Sequence, residues 1–155
     1  MFAPDRTYRR APAKFRDADF IQLLVARHYE PRYGNGFVSF GNFPAFDVKF
    51  SNGVTLEIKF DSKASETGNA CIEFWDQRRD KPSGILATTA TLWVHIVPFE
   101  AEVSCFEVDT KRLLSLCLQL PSFTSGGDNC SSLLKLVPLL KLKAICSQVF
   151  RLEGA

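Results

Sequence analysis

The chain has 155 residues, 46% of them hydrophobic and 23% charged, the balance of one globular domain able to bury about 70% of its unfolded surface. Nineteen basic residues against seventeen acidic ones leave a net charge of +2, so bulk charge alone does not mark a nucleic-acid binder and its distribution matters more. There is no run of about 18 apolar residues to span a membrane and no apolar signal core, while five scattered cysteines without a Cys-x-x-Cys pair argue against a zinc site or disulfide framework and for a cytoplasmic setting.

Residues 1–16 form a basic, proline-containing arm in which Arg6, Arg9, Arg10, Lys14 and Arg16 stand against Asp5. Such an arm suits phosphate contacts, with Arg9, Arg10 and Lys14 as candidates. Residues 17–155 read as the folded domain. Over 18–29, Phe20, Leu23 and Leu24, with Ile21, Val25 and His28 beside them, recur at helical spacing. Asp17 or Asp19 caps this helix, and Pro31, Gly34 and Gly36 stop it. Residues 37–40 begin a sheet, and a hairpin fills 44–60. Residues 61–69 are a polar loop. Residues 70–75 alternate, with Ile72 and Phe74 on one side and Cys71, Glu73 and Trp75 on the other. A charged loop follows, where Trp75 with Arg78 and Arg79 either clamps a nucleic-acid strand or merely anchors a strand end. Ser83 is placed to cap a short helix through Ala90. Residues 92–97 and 103–108 are strands, and Asp109 caps a helix to about Leu120. Residues 121–132 are loop. Pro138 interrupts 133–150, predicting a helix or strand pair there rather than one helix.

The hairpin carries the chemistry. Two alternating runs flank Ser51-Asn52-Gly53. A two-residue turn would set the apolar set of one strand against the polar set of the other, which a buried face forbids. A three-residue turn with Gly53 left-handed pairs Phe50 with Val54. Phe46, Val48 and Phe50 then share a face with Val54, Leu56, Ile58 and Phe60. The other face sets Asp47 opposite Glu57, with Lys59 two residues along. Opposed carboxylates repel, and a hard divalent cation such as Mg2+ (or Mn2+) between them removes the penalty.

Asp47 followed by Glu57-Ile58-Lys59 resembles the aspartate and acidic-x-lysine pattern of the PD-(D/E)XK nuclease superfamily. One departure is Phe46 where that pattern has proline, although Pro44 lies just upstream. The order helix, strand, strand, strand, helix, strand over 18–97 is that superfamily's core order. A more local likeness is to small phage-type nuclease-like proteins: Lys59-Phe60-Asp61, Thr67-Gly68-Asn69, Glu73, Ser83-Gly84-Ile85, a strand bearing Trp93, and Gly126-Gly127-Asp128. The resemblance implies an α/β fold, a central mixed β-sheet flanked by helices with a restriction-endonuclease-like core. It implies a metal-dependent DNA endonuclease, of phage or mobile-element setting, acting on branched or structured DNA. Asp47, Glu57 and the Ile58 carbonyl would hold the metal. Lys59 would orient the water, and Glu73 and Asp61 are secondary candidates. An acidic residue on the first helix is also implied, with Asp19, Glu30 and Gln22 competing. A homodimer is expected of an enzyme that cuts two strands. His28 and His95, beside aromatics, read as packed or edge residues. The rival readings are a nucleic-acid-binding module that has lost cleavage, and a structural or inhibitory phage protein whose hairpin is simply a wet surface.

Overall fold

The computed structural model describes residues 18–39 and 45–153; the basic arm with Arg9, Arg10 and Lys14, and Asp17, lie outside them. Helix α1 (Ala18–Tyr33) turns Ile21, Val25, Ala26 and Tyr29 inward. Phe20 and Leu23, part of the expected apolar stripe, are instead 37% and 43% exposed. The buried face runs one position further round because Tyr29 has a polar partner inside the fold. Pro31 does not stop the helix; it sits in the last turn, where its ring fits helical φ and its missing N–H removes one bond only. Gly34, at φ +86, ends the helix and donates its N–H to the Glu30 carbonyl at 2.9 Å.

Strands β1 (Gly36–Val38), β2 (Val48–Phe50), β3 (Thr55–Phe60), β6 (Leu92–Pro98), β7 (Val103–Asp109) and β10 (Gln148–Arg151) form a six-stranded sheet in the order β1-β2-β3-β6-β7-β10. Only β3 and β6 run parallel; the other neighbours are antiparallel. The fold is therefore α/β with a mixed sheet. One face packs Val48, Phe50, Leu56, Val94 and Ile96 under α1. The other packs Trp93, Val97, Phe106 and Val108 against Ile72, Phe74 and Val137, with Leu113 from α3 (Thr110–Gln119) and Leu142 from α4 (Leu139–Ile145). Each fully buried large side chain contributes about 1.5–3 kcal/mol. No helix among the described residues is long and apolar enough to cross a membrane.

The hairpin takes the expected register. Val48 faces Leu56 and Lys49 faces Thr55. Phe50 donates to the Val54 carbonyl at 2.8 Å, and Gly53, at φ +94, closes the turn on Phe50. Asn52 Oδ1 accepts the Val54 N–H at 3.0 Å. Asp109 also caps as its position predicts, its Oδ1 accepting the Arg112 N–H at 3.0 Å.

Further expectations fail. Residues 70–75 leave the central sheet. As β4 (Asn69–Asp76) they join a second sheet of order β5-β4-β9-β8, with β5 (Lys81–Pro82), β8 (Thr124–Gly126) and β9 (Ser132–Pro138). The third strand of the antiparallel meander is supplied by β1. The helix expected over 83–90 is only a 3-10 turn, Gly84–Leu86, and Ser83 makes no side-chain cap. Gly84, at φ +49, lies against β4, where a Cβ would stand 2.3 Å from the Glu73 carbonyl oxygen. That left-handed backbone, held by the close approach to β4, is incompatible with a right-handed helix through Gly84. Further along, β8 and the 3-10 turn Asp128–Cys130 occupy part of the expected 121–132 loop.

Candidate active site at the hairpin edge

Asp47 stands at the start of β2, where the ladder with β3 ends. Its N–H donates to the Leu56 carbonyl at 2.8 Å. Its Oδ2 accepts the Ile58 N–H at 2.7 Å, taking the place of a main-chain carbonyl. In an antiparallel ladder a residue's N–H and C=O face the same neighbour, so the Ile58 carbonyl is directed to this side as well. Asp47 Oδ1 accepts from Gln22 Nε2 of α1 at 3.3 Å. The carboxylate thus lies at the edge of the sheet, reached from α1 on one side and from Glu57 on the other. Burial raises its pKa, against the opposing pull of the Ile58 N–H and the Lys59 charge.

Glu57 and Lys59 project from β3 away from α1, since Leu56, Ile58 and Phe60 point toward it. Burial and then the Asp47 carboxylate push the Glu57 carboxyl up to about 8, against the Thr88 hydroxyl and Lys59. Without a cation, Glu57 holds a proton at neutral pH. Thr88 Oγ1 is 3.0 Å from both Glu57 Oε2 and the Ala45 carbonyl. The one hydroxyl proton is shared between these two acceptors. Lys59 forms no ion pair among the described residues, so its charge is available to the pocket.

Asp61, the next residue on this face, is not free to take a metal. Its Oδ1 accepts the N–H groups of Lys63 and Ala64 at 3.3 and 3.1 Å. Its Oδ2 accepts the Cys71 N–H at 2.8 Å and meets His95 Nε2 at 2.9 Å. It holds the turn that leads into the one-turn helix α2 (Ala64–Thr67) and ties β4 to the central sheet. Burial works to raise its pKa, but His95 and these amides outweigh it and the net shift is downward. His95, fully buried, is therefore the packed residue that its neighbours in sequence suggest. His28 is exposed and stacks on Phe150, with centroids 3.7 Å apart.

The other candidates fall around this centre. Glu73 faces outward from β4 on the side of Cys71, whose thiol lies in the fields of both Lys59 and Glu73. It forms no ion pair with Lys59. Arg78 and Arg79 lie in the turn after β4, their N–H groups donating to Asp76 Oδ1 at 3.0 Å each. Thr67-Gly68-Asn69 is a turn, with Gly68 at φ +72 and Thr67 Oγ1 accepting the Asn69 N–H at 3.2 Å. Of the first-helix candidates, Glu30 Oε1 accepts the Gly36 N–H at 3.2 Å, away from the pocket. Asp19 is outside the described side chains. Among the described side chains, Gln22 is the one that reaches Asp47. Thr88 carries no sequence signal at all; only the fold brings it to Glu57.

Among the described residues no three His, Cys, Asp or Glu side chains gather as a ready cage. The donor set is oxygen of another kind: two carboxylates, the Ile58 carbonyl, and Gln22 Oε1, which is buried and has no hydrogen-bond partner among the described residues. An orphaned amide oxygen beside two mutually repelling carboxylates fits a hard divalent cation. No protein-family model matches the chain, and no curated protein matches it.

Proposed function

We propose that the chain is a metal-dependent DNA endonuclease of the PD-(D/E)XK kind, hydrolysing phosphodiester bonds at the β2–β3 edge. The observation that carries this reading is the pair of carboxyls Asp47 and Glu57, close enough to act on each other, with Gln22 bonded to Asp47 and the Lys59 charge acting on both. The antiparallel β1–β2–β3 meander under α1, followed by β6 parallel to β3, supports it.

Asp47, Glu57, Gln22 Oε1 and the Ile58 carbonyl would hold Mg2+ or Mn2+. Such an ion polarises a phosphoryl oxygen and acidifies a bound water. Gln22 Nε2 and the Ile58 N–H fix the Asp47 carboxylate, so its remaining lone pairs are directed into the pocket. Thr88 fixes the Glu57 carboxyl in the same way. Lys59 offsets phosphate charge and orients or deprotonates the attacking water. A second copy of the chain would bring a second site for the other strand of a duplex or junction.

Calorimetric titration with Mg2+, set beside nicking of plasmid DNA, tests this. The wild-type chain should bind the ion and cut, and chelator should stop cutting. Asp47→Ala should lose both. A wild-type chain that neither binds the ion nor cuts DNA overturns the proposal.

A further inference from the structure

Thr88 sits in a turn that is tied down on several sides. Thr88-Thr89 follows the 3-10 turn Gly84–Leu86, and the Thr88 N–H donates to the Gly84 carbonyl at 3.0 Å. The Thr88 hydroxyl oxygen accepts the Ala90 N–H at 3.1 Å. A β-branched side chain has few rotamers to choose from, so backbone and hydroxyl together set where the Thr88 proton points. Its two acceptors are Glu57 Oε2 and the Ala45 carbonyl. Thr89 gives that carbonyl two further donors, its N–H at 2.8 Å and its hydroxyl at 3.2 Å. The Ala45 carbonyl is thus satisfied without Thr88, whereas Glu57 Oε2 has Thr88 alone among the described residues. An ionised carboxylate is also the stronger acceptor of the two.

Glu57 is left with one open oxygen. Its Oε2 is engaged by Thr88, and its Oε1 accepts no hydrogen bond among the described residues. Both oxygens of Asp47 are engaged as well, Oδ1 by Gln22 and Oδ2 by the Ile58 N–H. Ala45 stands two residues before Asp47, so the Thr88-Thr89 pair ties the Glu57 carboxyl to the segment that carries Asp47. From the other side Ser39 donates its N–H to the Asp47 carbonyl at 2.7 Å and its hydroxyl to the Phe46 carbonyl at 2.8 Å. The two carboxyls are therefore held by separate sets of donors and offer single oxygens rather than open pairs.

We infer that Thr88 selects the ion: by engaging one oxygen of Glu57 it confines that carboxyl to single-oxygen ligation and sets the site for Mg2+ against Ca2+. The inference rests on the metal site of the nuclease reading and adds the residue that discriminates between cations there. Ca2+ takes about 6–8 oxygens in a loose shell and readily accepts both oxygens of one carboxylate, whereas Mg2+ demands a small, near-octahedral set and keeps several waters. Single oxygens from Asp47, Glu57, Gln22 and the Ile58 carbonyl, completed by water, match the second demand. Without the Thr88 hydroxyl, Glu57 Oε2 is released and the carboxyl is free to turn both oxygens toward a larger ion. Thr88 is a positioning residue in this scheme, acting on the ion only through Glu57.

Calorimetric titrations with Mg2+ and with Ca2+, on the wild-type chain, Thr88→Val and Thr88→Ser, read the selectivity as the ratio of the Ca2+ Kd to the Mg2+ Kd. Thr88→Val keeps the branched shape and loses the hydroxyl, and its ratio should fall about 10- to 100-fold, the range for groups that orient a metal ligand. Thr88→Ser keeps the hydroxyl and should keep the wild-type ratio. A wild-type ratio in Thr88→Val overturns the inference, and so does a ratio in Thr88→Ser as low as in Thr88→Val. Infrared spectra of the carboxylate stretches of the Ca2+-loaded wild type make the test independent of how well Thr88→Val folds. They should show Glu57 ligating through one oxygen; a bidentate band that is absent from Glu57→Gln overturns the inference. The nuclease reading fails separately. A chain whose ion ratio depends on the Thr88 hydroxyl but which never cuts DNA sinks that reading alone, one that cuts with a ratio indifferent to Thr88 sinks only this inference, and one that binds neither ion sinks both.

Discussion

His95 donates its Nε2 proton to Asp61 Oδ2 across 2.9 Å, while its Nδ1 accepts the Trp93 indole N–H at 3.2 Å. The indole has only a proton to give, so it fixes the neutral tautomer of His95 and aims the remaining N–H at Asp61. This buried line joins β6 to the end of β3. From Asp61 the bonds continue to α2 and to β4, so one carboxylate joins the two sheets.

Asp61→Ala would leave His95 and three main-chain N–H groups without their acceptor. A buried donor left without its acceptor costs about 1–3 kcal/mol, and urea unfolding should show a loss of at least that order. Because the Asp61 pKa is lowered, its contribution is present above the ordinary aspartate range and disappears as pH falls through the folded value. The difference between wild type and Asp61→Ala should therefore shrink toward strong acid. Equal stability of the two proteins at pH 7 would show that the line is dispensable.

Glu57 works in the opposite sense. Its folded pKa, about 8 against the ordinary 4.5, means that folding favours the protonated acid. The stabilisation is complete below the ordinary value and is lost as pH rises through about 8. The raised Asp47 adds to the same trend. The metal-free protein should melt at progressively lower temperature from pH 5.5 to 8.5, and Glu57→Gln should flatten that slope. Since the cation must displace the proton, Mg2+ affinity should climb over the same interval. A pH-independent Mg2+ affinity would show that Glu57 does not hold the ion.

The hairpin was legible because its alternation admits a single register. Shifting Phe46, Val48 and Phe50 by one residue against Leu56 and Ile58 would expose them, so burial alone fixes Asp47 near Glu57. Asp109 was legible because a cap is local chemistry. The destination of β4 was not. Its alternation shows that one face is buried, but its partner β9 lies some 60 residues further along, and no local pattern says which sheet a strand joins. The face of α1 was hidden for a related reason: Tyr29 is drawn inward by Glu107 of β7, whose Oε2 accepts its hydroxyl at 2.5 Å. Turning α1 that way brings Gln22, rather than Glu30, to Asp47.

Gln22 gives a separate handle on the pocket. Gln22→Ala removes both the donor to Asp47 and the amide oxygen, and Mg2+ affinity should fall about 10- to 100-fold, as for groups that orient a ligand. Gln22→Glu places a third carboxylate there. It should tighten Mg2+ and lower the melting temperature of the metal-free protein, because a further carboxyl is then confined beside Asp47 and Glu57. Thermal shifts with and without Mg2+ read both effects at once. If Gln22→Glu leaves Mg2+ binding unchanged, the Gln22 oxygen faces something other than the ion.

Lys59 separates binding from chemistry. It contributes charge but no metal-ligating oxygen, so Lys59→Ala should retain Mg2+ binding by calorimetry. Groups that orient or deprotonate a water contribute about 10²–10⁴-fold in rate, and cleavage should fall by that factor. Lys59→Arg keeps the charge, but its planar, permanently protonated head cannot accept a proton. Substantial rate in Lys59→Arg would assign Lys59 to phosphate neutralisation; loss as deep as in Lys59→Ala would assign it to the water. Ca2+ in place of Mg2+ should support binding with little turnover, because its looser coordination holds the water poorly. Lys59→Ala should be compared with Glu57→Ala on linear duplex, single strand, flap and four-way junction. Cleavage as fast as wild type in both variants, on every substrate, would leave the polar face of this hairpin as no more than a hydrated surface.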